Sequence, residues 1–116
     1  MTIKYNNVFI EDAYTICGNY ENDGPLSKYF DKRYVKDLYF GEKSWEKAEV
    51  HILKEANKNI LVKNKLKEED VDLLISGDLQ NQIAASDYMA RDFDIPFIGI
   101  FEACSTMGEA LAIGST

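Results

Sequence analysis

The chain is 116 residues long, enough to bury one core but not two. Twenty acidic residues against 13 Lys and Arg leave a net charge of −7, which argues against nucleic acid as the main partner, because phosphate binding needs a basic surface. Hydrophobic content of 46% with 28% charged residues fits an ordinary globular domain, and the apolar runs fall far short of the ~20 residues that span a bilayer.

No secretory signal pattern opens the chain, since Lys4 runs into Tyr5, Asn6 and Asn7. A cytoplasmic location is therefore expected, with Cys17 and Cys104 reduced; they are far apart and show no metal-type spacing. Val8 to Ile10 and Ala13 to Gly18 read as one or two short strands, with Cys17 as a small buried hydrophobe. An irregular connection follows over about 19–42. Asn22-Asp23-Gly24-Pro25 is a turn signal within it. Leu26, Tyr29, Phe30, Tyr34, Leu38, Tyr39 and Phe40 are too apolar for a disordered loop, so side-chain packing should tie the connection down around a helical turn. A lid and a dimer contact both fit it.

Ser44 is a plausible N-cap with Glu46 in the first turn. Trp45, Ala48, Ile52, Leu53, Ala56 and Ile60 then recur at helical spacing, which predicts an amphipathic helix to about Asn64. His51, the single histidine, lies well round from the centre of that stripe and reads as a surface residue. After a charged connector, Val71 to Ser76 is the clearest strand, ended by Gly77-Asp78. Leu79 to about Phe93 reads as a second helix. Ile95 to Phe101 reads as a second strand that tolerates Pro96 at its start. Met107, Ala110, Leu111, Ala112 and Ile113 then predict a buried last helix, with Cys104 at its first turn and Gly114 available as a cap.

Strand, helix and strand in about thirty residues form a βαβ unit with parallel strands. Ligands of such sheets bind at the carboxyl ends of the strands. That rule puts Asp78, Asn81 and Gln82 on one edge with Cys104 and Ser105, and these five are the candidate site residues. A cysteine at a helix start meets partial positive charge and free N–H groups, which suit a nucleophile. No phosphate loop, Gly-x-Ser-x-Gly elbow, His-Glu-x-x-His or dinucleotide glycine pattern is present, and neither cofactor nor metal is expected.

The order helix, acidic connector, Asp-Val-Asp-Leu-Leu-Ile strand, helix, apolar strand and Ala103-Cys104-Ser105 resembles the first half of the thiolase and ketoacyl-synthase fold. More narrowly, the chain resembles the stage V sporulation protein AD family of spore-forming bacteria. The resemblance rests on Gly24-Pro25-Leu26 with Phe30-Asp31-Lys32, and on Lys43-Ser44-Trp45-Glu46-Lys47-Ala48-Glu49. It rests further on Gly77-Asp78-Leu79 with Asn81-Gln82, and on Asp94-Ile95-Pro96-Phe97 running into Phe101-Glu102-Ala103-Cys104-Ser105-Thr106.

The resemblance implies an α/β fold, here its N-terminal half, incomplete, with a mostly parallel sheet and helices on both faces. It implies a thiolase-like, non-catalytic part in taking dipicolinic acid into the developing spore. Homodimerisation, other stage V proteins as partners and a peripheral place on the inner side of the spore membrane are also implied. If catalysis survives, Cys104 is the nucleophile of an acyltransferase. Two departures matter. Glu102 stands where the family tends to have a small residue such as Gly, and its charge would oppose a thiolate. The histidine and second polar partner that face the cysteine in such folds lie in the second half, and nothing in these residues matches them.

Overall fold

The computed structural model describes residues 2–116. Two short parallel strand pairs and four α-helices make an α/β fold. Strand β1 (Ile16–Cys17) pairs with β2 (Lys32–Arg33), joined by the one-turn helix α1 (Asn19–Asn22) and a 3₁₀ turn at Ser27–Tyr29. The connection expected to be irregular therefore carries short regular pieces. Val8 to Ile10 form no strand: Phe9 and Ile10 are 84% and 81% exposed, with no neighbouring strand to pair with. An apolar run supplies the side chains for a sheet, but without a hydrogen-bonding partner it stays extended and solvated.

Helix α2 (Trp45–Asn64) begins where Ser44 predicts it, the hydroxyl accepting from Lys47 N–H at 3.3 Å. It ends on Lys65 in the left-handed region (φ 56°), so that Leu66 N–H reaches back to the Leu61 carbonyl at 2.9 Å. The βαβ unit is β3 (Leu74–Ser76), α3 (Ala84–Ala90) and β4 (Phe97–Gly99). The strands are parallel, in the register Leu74 to Phe97, Ile75 to Ile98 and Ser76 to Gly99. Both are shorter than their apolar runs, and α3 is shorter than the expected helix. Gln82 and Ile83 sit at φ 55° and 53° and confine the preceding residues to a 3₁₀ turn at Asn81–Ile83.

Successive residues of a strand face opposite sides. The Ser76 hydroxyl meets that of Ser86 on α3 at 2.9 Å, whereas Ile75 Cδ1 lies 3.6 Å from where a Cβ on Gly114 would stand. Helix α3 and the last helix, α4 (Thr106–Ser115), therefore cover opposite faces of this sheet. The core lies on the α3 side, where Ala85, Ser86, Met89, Ala90 and Phe93 are buried and α2 packs across with Ala48. Cys17 is buried beside β2, as a small hydrophobe should be.

The expectation of a buried last helix is corrected. No α4 residue is buried, and Met107 and Leu111 are 75% and 48% exposed. The helix is apolar on most sides, but only the side toward Ile75 meets the sheet. Gly114 lies inside α4 rather than capping it. The radius of gyration, 15.0 Å, exceeds the ~13 Å of a compact domain this long, in keeping with so much uncovered apolar surface. No described helix is long and apolar enough to cross a membrane.

Two glycines hold the βαβ unit close. A Cβ on Gly77 would stand 2.3 Å from the Ile100 carbonyl oxygen and 2.7 Å from Thr106 Cγ2; on Gly99 it would stand 2.1 Å from Ile83 Cδ1. Backbone cannot give way as a side-chain tip can. Gly77→Ala is therefore expected to cost about 2–3 kcal/mol and Gly99→Ala about 1 kcal/mol. Urea unfolding of the two variants checks the order, and equal losses would contradict it.

Candidate functional site at the carboxyl ends of β3 and β4

Strands β3 and β4 leave the sheet at the same level because their register brings Ser76 beside Gly99, and Ile100 N–H donates to the Ser76 carbonyl at 3.0 Å. From this edge the chain goes two ways. After β3 it enters the Gly77-Asp78 turn under α3. After β4 it passes Glu102 into a 3₁₀ turn at Ala103–Ser105 and then α4. Gly77 touches Ile100 and Thr106 and so joins the two exits.

Asp78 is buried, and its carboxylate is fully employed by the backbone. Oδ1 accepts from Gln80 N–H at 2.9 Å and Oδ2 from Ser86 N–H at 2.7 Å. Such charge-assisted bonds fix the loop at the start of α3. Asp78 thus builds the edge from beneath. Asn81 and Gln82 are exposed and line a shallow hollow of about 290 Å³ with Ala84, Asp87, Tyr88 and Arg91, apart from Cys104 and Ser105.

Cys104 stands at the first turn leading into α4, as the sequence predicts, and its side chain is exposed. The turn is stitched by its own side chains. Ser105 Oγ donates to the Glu102 carbonyl at 2.8 Å and lies 3.2 Å from Glu102 Oε2, while Thr106 Oγ1 donates to the Ala103 carbonyl at 2.9 Å. Glu102 N–H donates to Thr106 Oγ1 at 3.3 Å. Ala103 takes φ 48°, a conformation that stores strain in a residue other than glycine. The five residues singled out thus share one edge of the sheet but not one pocket. Among the described residues, no group of three or more His, Cys, Asp or Glu is placed to hold a metal ion.

A second polar constellation escaped the sequence reading. A cleft of about 740 Å³ lies against α2 and α3, and Glu42, His51, Lys54, Tyr88 and Arg91 are among its walls. His51 is only 35% exposed at its side chain, not a free surface residue. Its Nδ1 lies 3.2 Å from Glu42 Oε1 and its Nε2 3.3 Å from the Tyr34 hydroxyl, which donates to Glu55 Oε2 at 2.7 Å. Lys32 Nζ closes the chain on Glu55 Oε1. One signal was available: His51 and Glu55 are four residues apart and share a helical face. Their partners from 34 and 42 carry no such spacing.

The chemistry open at the edge is that of an exposed thiol beside a helix start. Within this chain the single histidine, on α2, is engaged by Glu42 and Tyr34 of the preceding segment rather than paired with the thiol. A nucleophilic cysteine needs a base or charge-stabilising partner, and here only the first turn of α4 offers one. The other thiol is held back. Burial pushes the Cys17 thiol up, Glu21's charge adds to this, and Arg33 opposes it. A disulfide-exchange reagent at pH 8 is expected to take up one thiol of the native chain rapidly, at Cys104. Cys17 should react at least about a hundredfold more slowly until urea opens the fold. Two equally fast thiols would contradict the burial of β1.

Comparison with known proteins places the chain in a family. The family described as Stage V sporulation protein AD matches residues 1–116. The Stage V sporulation protein AD of Bacillus subtilis (strain 168) is 44% identical over 108 residues, which are 93% of this chain and 32% of that protein. The chain thus spans about a third of the length of that relative. A match along every residue carries the assignment: the chain belongs to the Stage V sporulation protein AD family.

Proposed function

We propose that the chain serves the uptake of dipicolinic acid into the developing spore, as a thiolase-like and non-catalytic part of a stage V sporulation protein. The observation that carries this reading is the family match over residues 1–116. The geometry supports the non-catalytic half of the proposal. Glu102 flanks Cys104, and the chain's histidine is bonded elsewhere. The sheet edge offers exposed groups at Cys104 and Asn81-Gln82, and the first turn of α4 suits a carboxylate. The same reading includes homodimerisation, other stage V proteins as partners and a peripheral seat at the inner side of the spore membrane. The uncovered apolar side of α4 supports association.

The test is a chimera in which this chain replaces the matching third of the Bacillus subtilis protein. Spores carrying it are expected to accumulate dipicolinate, and the purified chimera to give saturable heat on titration with dipicolinate. A folded chimera at normal abundance that does neither overturns the reading.

The exposure of Cys104 at a helix start favours a second reading, acyl transfer through a Cys104 thioester. Intact-mass analysis of the chimera after incubation with an acyl thioester distinguishes the two. No adduct is expected, and a stoichiometric acyl group on Cys104 would replace the first reading with the second.

A further inference from the structure

We infer that Glu42, His51, Tyr34 and Glu55 form a proton-dependent clasp, in which a doubly protonated His51 holds the 32–44 segment against α2. A carboxylate only accepts, so the 3.2 Å contact to Glu42 needs a proton on His51 Nδ1. Tyr34 has one hydroxyl proton, and the 2.7 Å bond to Glu55 uses it. The 3.3 Å contact between the Tyr34 oxygen and His51 Nε2 is then a bond only if Nε2 also donates. All three contacts are satisfied together by the imidazolium alone.

A neutral ring breaks the chain at one end or the other. With its proton on Nδ1, it sets a nitrogen lone pair against the Tyr34 oxygen or draws the hydroxyl away from Glu55. With its proton on Nε2, it sets a lone pair against the Glu42 carboxylate. The remaining members keep their states near neutral pH. Burial pushes the Tyr34 hydroxyl up, with Glu55 adding to it, so the hydroxyl retains its proton. Burial would raise the Glu55 carboxyl, but hydrogen bonds from Lys32 and Tyr34 outweigh it and hold that group below the ordinary carboxylate range. His51 is the member whose ring can carry either one proton or two.

Charges around the ring act in both directions. Lys47 and Lys54 on α2 and Arg91 at the end of α3 line the same cleft and oppose a second proton, although Lys54 is paired with Asp92. Glu42, Glu46 and Glu55 favour it, and Lys32 is taken up by Glu55. The sign follows directly. A group that gains its partners by binding a proton adds stability at low pH and loses it as pH rises. Acidification from the weakly alkaline side therefore tightens the segment that carries Tyr34 and Glu42, at the mouth of the cleft. This inference does not rest on the proposed function.

Hydrogen exchange read by mass spectrometry on peptides covering 30–44, corrected for intrinsic rates, tests it on the whole chain. Tyr34 N–H, bonded to the Cys17 carbonyl at 3.0 Å, and Glu42 N–H, bonded to the Tyr39 carbonyl at 2.9 Å, report the segment. Their protection is expected to rise about fivefold from pH 8 to pH 5.5, the free energy of about one ordinary hydrogen bond. Peptides covering β3 and β4 should show no comparable rise. His51→Gln should abolish the rise and Glu42→Gln reduce it, each still folded by circular dichroism. If His51→Gln does not fold, Glu42→Gln carries the comparison. Flat or falling protection in the unaltered chain, or an undiminished rise in the variants, overturns the clasp.

Discussion

The architecture depends on the contact between Gly77 and the Ile100 carbonyl. Parallel strands can leave a sheet at any offset, and their register decides which loops become neighbours. Here Leu74 N–H donates to the Pro96 carbonyl at 2.8 Å and Ile100 N–H to the Ser76 carbonyl at 3.0 Å, so the strands exit together. A side chain at position 77 would part them, because the Ile100 oxygen already occupies the place of a Cβ. With Gly77 the two exits touch. Asp78 can then turn the chain under α3 while Thr106 starts α4 above the opposite face. The position of Cys104 relative to the Asp78 loop is thus set by backbone packing and needs no side chain to bridge them.

Elements that carry their own local signals were legible in the sequence. Ser44 caps α2, its apolar stripe sets the helix length, Cys17 is buried, and each of the two apolar runs holds a strand, though a shorter one than the run. What failed depended on partners outside the local window. Val8 to Ile10 have the residues of a strand but no strand beside them. The start of α3 is displaced because Gln82 and Ile83 adopt positive φ, and neither is the glycine that would announce it. Lys65 hides a left-handed cap in the same way. Helix α4 reads as buried from its composition alone, yet burial is a property of neighbours, and within this chain only one side of it meets the sheet.

The candidate site was legible in position more than in use. The rule that parallel sheets present ligands at their carboxyl ends places Asp78, Asn81, Gln82, Cys104 and Ser105 along one edge, and the structure keeps them there. Their roles divide by chemistry. Asp78 spends both oxygens on backbone donors, and the Ser105 hydroxyl turns back to Glu102. Cys104, Asn81 and Gln82 remain as the groups open to solvent. The polar chain around His51 was illegible because three of its five members come from the aromatic connection, whose path over α2 no periodicity describes.

Two kinds of attachment hold this chain together, and they answer to pH differently. The βαβ unit is joined to α2 chiefly by apolar burial around Ala85, Met89 and Phe93, with the Lys54–Asp92 ion pair and the Gln80–Glu49 hydrogen bond at its margin. The N-terminal third is joined to α2 by polar ties. Lys63 Nζ reaches Asp12 at 2.9 Å and Asp31 at 3.6 Å, while Asn64 Nδ2 donates to Asp12 at 3.0 Å. Lys63 holds Asp12 below its ordinary range, Thr15's N–H and hydroxyl do the same for Asp31, and Asp12 raises Lys63. Depressed carboxyls add stability that is lost only as pH falls through their folded values, and a raised lysine adds stability lost only far on the alkaline side. Between those limits these ties are constant. Among the described residues, the tie through His51 is the polar attachment to α2 whose contacts depend on how many protons the ring carries, and the sheet edge makes no use of it.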